Sequence, residues 1–405
     1  MSSMPCDIVH NILMRVDAES LFGLRSVCKQ WNDIICEPSF VKSHTNYHSQ
    51  CYEEGEGILL IRESLRGALY SVCLDSLNYA DTLQTIDAKQ LLQPCSSGTL
   101  SNRGLTITSC NGLILFYGDD FSDTIPRIPW VIWNPLLQQL HNLPDPYVDS
   151  QLLANWTDHS SCGSHDLWSM GFGYNCHDND YKVVRIARLR CDGLLVQKFI
   201  VYSLKLGSWR IIKDCPFDFS GIQNGVFLDG ALHWRSFSGM IIMLDLATEE
   251  FRQLPGPPVL TTSIELPHFV VKLDSVGGFL LVSCYYHDAG RFDGWIFNHS
   301  SWTKLFSIEE EDILAFTKNL SPVVYLHTRR KLLLKHERGF FWFDLAENKS
   351  VKKVTIHGLS MIYSNQFGKG SLFRLHPTTN ATSVTVLKRW PRPAMEQKIQ
   401  RADAR

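Results

Sequence analysis

Residues 5–40 read PCDIVHNILMRVDAESLFGLRSVCKQWNDIICEPSF, and their apolar positions decide what kind of module begins this chain. Ile8, Val9, Ile12, Leu13 and Val16 form one series; Leu21, Leu24, Val27, Cys28, Trp31, Ile34 and Ile35 form a second. Steps of one, three and four put each series on one face of a helix, so the spacing predicts two helices. Pro5 suits a first turn, where a missing N–H is tolerated, and Pro38 sits where the second helix has already ended. Asp17 and Ser20 are N-cap candidates between the two. A segment this short cannot close a core by itself. Its apolar surface has to be covered by the rest of the chain or by another protein.

Met4-Pro5-Cys6-Asp7-Ile8-Val9, Ile12-Leu13, Leu21, Leu24-Arg25, Val27-Cys28-Lys29, Trp31, Ile34-Ile35, Pro38 and Phe40 together resemble an F-box. The Val27-Cys28-Lys29-x-Trp31 core and the closing Pro38-x-Phe40 are the most diagnostic parts. Two positions depart from the family pattern: Met4 stands where Leu is usual, and Asp17 where a second Pro usually opens the middle helix. Asp is a good cap, so the helix still starts there. The resemblance implies docking on a Skp-type adaptor. By match to the motif, Pro5, Ile8, Leu13, Leu21, Val27, Lys29 and Trp31 are the adaptor-binding positions. Some of them belong to internal core, and the motif does not separate the two groups.

The chain has 405 residues, enough for two domains and a sizeable core. A formal net charge of −2 offers no global basic field for nucleic acid or an acidic membrane. No basic stretch leads into an apolar core near the start, so no export signal is expected. No apolar run reaches the ~18 residues of a membrane span. Twelve cysteines lie scattered without paired framework spacing, which predicts reduced thiols. Sequons at Asn155, Asn298, Asn319, Asn348 and Asn380 read as unmodified surface or turn residues in a chain that is not secreted.

From Gly57 the pattern becomes all-β. Ile58–Ile61, Leu113–Tyr117, Val131–Trp133, Lys182–Ile186, Phe199–Tyr202, Ile241–Leu244, Phe279–Cys284 and Leu332–Leu334 are short apolar runs separated by turn residues. Asn111-Gly112 and Asp229-Gly230 suit tight hairpins, since both residues of each pair tolerate positive φ. A weak internal repeat runs through this region: an apolar strand, a small or acidic turn residue, an aromatic or apolar residue, then often Leu-Pro. Its anchors are Asp75, Asn134, Ser203, Asp245, Asn298 and Asp344. Their irregular spacing, near the ~40–50 residues of a propeller blade, predicts a six-bladed propeller-like domain. An irregular β-sandwich with insertions is the alternative. Ring closure is expected to pair Ile58–Ile61 with strand material near Leu372–Leu375 or Val384–Leu387. The fold class expected is therefore a small all-α F-box at 1–43, a linker at 44–56, an all-β propeller-like domain at 57–388 and a basic tail at 389–405.

Val131-Ile132-Trp133-Asn134-Pro135-Leu136, Gly171-Phe172-Gly173-Tyr174, Asn179 to Arg185, Val201 to Leu204 with Ser208-Trp209-Arg210, Gly225 to Trp234 and Asp245 to Phe251 resemble the plant F-box-associated interaction domain of kelch-like type. With the F-box, this likeness covers nearly the whole chain. Leu65 to Leu77 looks more narrowly like a branch of plant F-box proteins concerned with pathogenesis-related gene expression; pollen S-locus F-box proteins share the general layout. Within these motifs, Gly171, Gly173 and Gly230 fit turns or close backbone approach. Trp209, Trp234 and Phe251 fit blade cores, and Asp180 fits a turn or cap.

His159, Cys162, His165, Cys176 and His177 invite a zinc reading, but Cys176 and His177 are adjacent and would point to opposite faces of a strand. No metal is expected there, and no cofactor anywhere. The chain carries no H-E-x-x-H and no G-x-S-x-G. Gly368-Lys369-Gly370-Ser371 only echoes a phosphate loop. Glu309-Glu310-Glu311-Asp312 reads as a solvated loop, and the basic tail from Lys388 as a frayed terminus.

The resemblance implies a non-catalytic substrate receptor of a Skp–cullin–F-box ubiquitin ligase, cytoplasmic and nuclear. It reaches cullin through the adaptor and delivers a target for proteasomal degradation. The narrower likeness implies an intracellular immune receptor of the nucleotide-binding, leucine-rich-repeat class as that target. The alternatives are a non-degradative F-box scaffold, and a propeller enzyme or sugar-binding module with an incidental helical start.

Overall fold

The computed structural model describes residues 5–50 and most of 57–375. Within the second range 64–68, 75–83, 92–104, 119–129, 145–168, 262–268, 310–319, 358–361 and a few shorter stretches are not described. The helical module comprises α1 (Cys6–Leu13), α2 (Ala18–Leu24), α3 (Lys29–Cys36) and α4 (Pro38–Gln50). Asp17 caps α2, its carboxylate accepting the Ser20 N–H at 2.8 Å. Ser20 lies inside the helix. The second apolar series does not make one helix but two. Ser26 donates its hydroxyl to Gly23 O at 2.8 Å, and Cys28 is fully extended (φ −158°), so the chain breaks between α2 and α3. Pro38 opens α4, at a position where a missing N–H is harmless. His44–Gln50 of the expected linker are therefore helical, and 51–56 lie outside the described residues.

The strands are β1 (Ile58–Glu63), β2 (Leu69–Cys73), β3 (Gln84–Asp87), β4 (Lys89–Leu91), β5 (Leu105–Cys110), β6 (Leu113–Gly118), β7 (Val131–Asn134), β8 (Gln139–Asn142), β9 (Ser169–Asn175), β10 (Asp180–Cys191), β11 (Leu194–Ser203) and β12 (Ser208–Ile211). They continue as β13 (Val226–Leu228), β14 (Ala231–Arg235), β15 (Ile241–Asp245), β16 (Phe251–Leu254), β17 (Phe269–Val276), β18 (Phe279–Tyr286), β19 (Arg291–Asn298), β20 (Ser301–Glu309), β21 (Ser321–Leu326), β22 (Lys331–His336), β23 (Gly339–Asp344), β24 (Lys349–His357) and β25 (Ile362–Gly368). They form six sheets: β5–β8, β9–β12, β13–β16, β17–β20, β21–β24 with β3 added in parallel, and β25-β1-β2-β4. The last sheet joins the two ends of the domain. β1 pairs antiparallel with β25, Ile58 opposite Gly368. Closure thus uses 362–368 rather than Leu372–Leu375; Val384–Leu387 lie outside the described residues.

Strands β25, β5, β9, β13, β17 and β21 neighbour one another in a closed cycle, the inner wall of a propeller. The core is not central but divided among the seams between sheets. At the seam of β9–β12 and β13–β16, Val184, Ile186, Phe199 and Val201 meet Leu232, Trp234, Ile242 and Leu244. Comparable clusters fill the other seams. Gly171 is glycine because a Cβ there would stand 2.5 Å from Leu232 Cδ1 across this seam. Trp209 and Trp234 are buried and Phe251 packs on the same cluster as Trp234, as expected of core aromatics.

The repeat now has a physical meaning. Asn134, Ser203, Asp245, Asn298 and Asp344 each end the third strand of their sheet; Asp75 lies outside the described residues. Asp245 Oδ1 accepts from the N–H groups of Ala247 and Thr248, and Asp344 Oδ1 from those of Ala346 and Glu347. Asn134 and Ser203 hold Leu137 N–H and Leu206 N–H in the same way. Four residues after these anchors, Gln138, Gly207, Glu249 and Asn348 all take positive φ, completing the hairpin. The Leu-Pro that ends a copy also has a partner: Trp209 Nε1–H donates to Pro144 O at 2.8 Å, and Trp302 Nε1–H to Pro255 O at 2.7 Å. Each bond runs from the outer strand of one sheet to the end of the sheet before it. Asn111-Gly112 and Asp229-Gly230 have positive φ throughout, as their hairpins require.

Replacing Asp245 by Ala removes both turn acceptors and should lower stability by about 1 kcal/mol in urea unfolding, with Asp245→Asn close to the intact chain. Equal losses in both variants would separate the anchor from these hydrogen bonds. A second prediction concerns His44, buried in α4 and tilted against His48 with ring centroids 4.2 Å apart. Their Nε2 atoms face the carbonyls of Val16 and Met14, where α1 ends. Burial lowers His44 from 6.5 to about 4, with the Val16 hydrogen bond opposing and the His48 charge adding. The folded state is then the poorer proton binder, so stability is full above about pH 6.5 and falls as pH drops towards 4. Going from pH 7 to pH 5 should lower the urea midpoint less in His44→Gln than in the intact chain. An equal drop in both would remove His44 from the account.

Candidate functional site

The apolar residues of the helical module divide between two faces. Val9, Leu13, Ala18, Leu21, Ile35 and Phe40 are buried together, and Leu136 and Leu372 from the β-domain complete their cluster. Ile8, Ile12, Phe22 and Val27 face solvent, at 49%, 48%, 43% and 60% exposure. Among the described residues only Tyr47, Leu206 and Ile211 are also large, apolar and exposed, so the outward apolar surface is concentrated within residues 8–27. Val27 is outside because it lies in the break after α2, not on a helical stripe. The two faces are held in register by Arg25 Nε–H donating to Asn32 Oδ1 at 3.1 Å and by Gln30 Nε2–H donating to Cys6 Sγ at 3.3 Å.

This separates the motif-matched positions. Pro5, Ile8, Val27 and Lys29 are exposed and available to a partner. Leu13 and Leu21 are not: each is fully buried, because it lies on the face that packs against Leu136 and Leu372. Trp31 is half-buried and packs on the same cluster. Ile12 and Phe22 belong to the outward face and were absent from the motif-based set. Ile12 lies one helical turn beyond Ile8, a spacing visible in the sequence; Phe22 is visible only once Leu21 is known to point inward.

The helices sit on a defined face of the ring. Inner strands end in turns at 111–112, 176–179, 229–230, 277–278 and 327–330, and third strands end in the anchor turns. Antiparallel order puts both sets on one side. The helices meet this side: Leu136 and Leu137 of an anchor turn join their core, and Lys42 Nζ donates to His177 O at 3.2 Å. The opposite side carries the links from second to third strands and from sheet to sheet, including 236–240, 255–261 and 287–290.

Charged groups on the ring serve its seams. Asp180 accepts from Ser203 Oγ–H at 2.6 Å and from Lys205 N–H at 2.8 Å, holding an anchor turn. Lys182 is buried, yet its ammonium donates to Leu246 O at 2.6 Å and pairs with Glu249 at 2.8 Å across the next seam. Burial opposes ionisation of Glu249, but Arg210 and Lys182 together hold it below the usual range. Burial pushes the Cys110 thiol well up and, with Asp293 nearby, Cys284 up to about 12, away from the thiolate a nucleophile requires.

The zinc-like set is not assembled by the described residues. His159, Cys162 and His165 lie outside them, and Cys176 and His177 occupy the turn after β9 rather than a strand. Among the described residues no group of three His, Cys, Asp or Glu side chains is placed to hold a metal. Gly368 closes β25, and Gly370 and Ser371 lie against the helical module and the ring; Lys369 of the phosphate-loop echo lies outside the described residues. Glu309 ends β20; Glu310–Asp312 and the basic tail lie outside the described residues. No helix of the described residues is long and apolar enough to cross a membrane.

Two family models match: the F-box domain over residues 1–43 and the F-box associated beta propeller domain over 65–377. Among relatives from Arabidopsis thaliana, F-box protein CPR1 is 28% identical, with 92% of this chain and 89% of that one covered. An F-box/kelch-repeat protein is 26% identical over 76% of this chain and 79% of the relative. A further F-box protein is 24% identical over 92% of both. The helices, the ring and these matches agree: the chain belongs to the F-box proteins that carry an F-box associated β-propeller domain.

Proposed function

We propose that the protein is the substrate-recognition subunit of a Skp–cullin–F-box ubiquitin ligase. The observation that carries this reading is the two-faced helical module. Its inner face is covered by the chain's own Leu136 and Leu372, while Ile8, Ile12, Phe22 and Val27 remain uncovered. Exposed apolar residues concentrated in one short module support a docking role. Pro5, Ile8, Ile12, Phe22, Val27 and Lys29 would meet the Skp-type adaptor, with the cullin reached through it.

The reading counts each of the six sheets as one blade of the ring. The target would sit on the side away from the helices, which carries the links from second to third strands and from sheet to sheet. The chain then acts without a nucleophile of its own. Holding a target lysine near a loaded conjugating enzyme raises its effective concentration, and degradation follows. The resemblance of Leu65 to Leu77 supports an intracellular immune receptor as target, in the cytoplasm and nucleus.

The test is co-purification with a Skp-type adaptor. The intact chain should bind, and an Ile8→Asp, Val27→Glu double variant should lose at least about tenfold in affinity, or ~1.4 kcal/mol, while its β-domain stays folded. Absence of binding by a folded intact chain, or unaltered binding by the variant, would contradict the proposal.

A further inference from the structure

The chain does not end its work at the closing strand β25. Residues 370–375 run between the ring and the helical module and are held from both sides. On the ring side, Asn134 Nδ2–H donates to the carbonyls of Ser371 (3.0 Å) and Phe373 (2.8 Å), and Leu375 N–H donates to Gln139 Oε1 at 2.9 Å. The Phe373 ring meets buried Tyr181 edge-on at 4.8 Å, and Leu375 joins the seam cluster of Cys110, Leu113 and Tyr181. On the helix side, Leu372 enters the core of Leu13, Leu21 and Phe40. Arg374 Nη2–H donates to Cys36 Sγ at 3.2 Å. Gly370 runs beside α2, where an added Cβ would be in ordinary contact with Ala18 Cβ at 3.5 Å. Residues 372 and 374 therefore serve the helices, and 373 and 375 the ring, the alternation of an extended segment.

We propose that residues 370–375 are a positioning clamp that fixes the angle between the helical module and the ring. Asn134, an anchor of the repeat, is the post it is tied to. The consequence for ubiquitin transfer rests on the receptor reading above: a fixed angle sets where a bound target stands relative to the adaptor-docking face, and proximity catalysis depends on that placement. The clamp itself does not depend on that reading. It is also not part of either domain's closure, since β25 has already paired with β1.

Small-angle scattering of the full chain reads the clamp without any partner. Phe373→Ala removes the contact with Tyr181 and leaves the helical core untouched; Leu372→Ser removes the segment's apolar contact with the helices and leaves the ring side. Each should raise the maximum dimension measurably, as the module loosens about the Leu136 contact that remains. Amide exchange should show the helices and strands still protected. If Leu372→Ser instead melts the helices, Phe373→Ala decides the question. Scattering unchanged in Phe373→Ala overturns the clamp. Adaptor capture by Phe373→Ala should equal that of the intact chain, and loss of capture in this variant would also overturn it. If the intact chain captures no adaptor, the receptor reading fails while the scattering still decides the clamp.

Discussion

The constraint behind this structure is that a helical module of about 45 residues has more apolar surface than it can bury in itself. α1 to α4 resolve it by turning one face to the ring. Leu136 comes from an anchor turn and Leu372 from the segment after ring closure, and together they complete a core that the helices alone leave open. The opposite face, with Ile8, Ile12, Phe22 and Val27, has no such cover within the described chain. Burying Leu13 and Leu21 at home is what makes the outward residues a separate, rigid surface.

The ring satisfies a different demand. Its sheets are small, and none could bury both faces alone, so the core is distributed over seams between neighbours. Pairing β1 with β25 brings the two ends of the domain into one sheet, so the seams form a cycle. Polar links work at the same seams: the indole bonds of Trp209 and Trp302 to proline carbonyls, and Lys182 reaching Leu246 O and Glu249. The two sides of the ring then differ by construction. One is made of the hairpin turns and carries the helices; the other carries the links between sheets.

How much of this the sequence shows depends on how local the signal is. Periodicity in residues 5–40 gives the helices, but not the break at Ser26–Cys28, which rests on a side-chain hydrogen bond and an extended residue that apolar spacing does not register. The anchors Asn134, Ser203, Asp245, Asn298 and Asp344 are readable because a turn needs a short side-chain acceptor, and that need recurs. The positive φ four residues later is not readable, since Gln138, Gly207, Glu249 and Asn348 share no chemistry. Of the two closing segments the sequence offers, Leu372–Leu375 lies just past the strand that closes the ring, with Leu372 packed on the helical module and Leu375 on the ring, and Val384–Leu387 lies outside the described residues. The motif-matched positions are legible as a motif but not as surfaces. Leu13 and Leu21 match the family pattern as well as Ile8 and Val27 do, and only tertiary packing tells the two pairs apart.

The central claim is that the face made by α1 and the α2–α3 break is held open for a partner while the opposite helical face is already occupied by the ring. Amide hydrogen exchange of the full chain, with and without a Skp-type adaptor, tests this directly. The account predicts slowed exchange in residues 6–12 and 22–29 on adding the adaptor, with α4 and the turn at 135–138 unchanged. Protection confined to α4 or to the ring, with residues 6–12 unaffected, would contradict it.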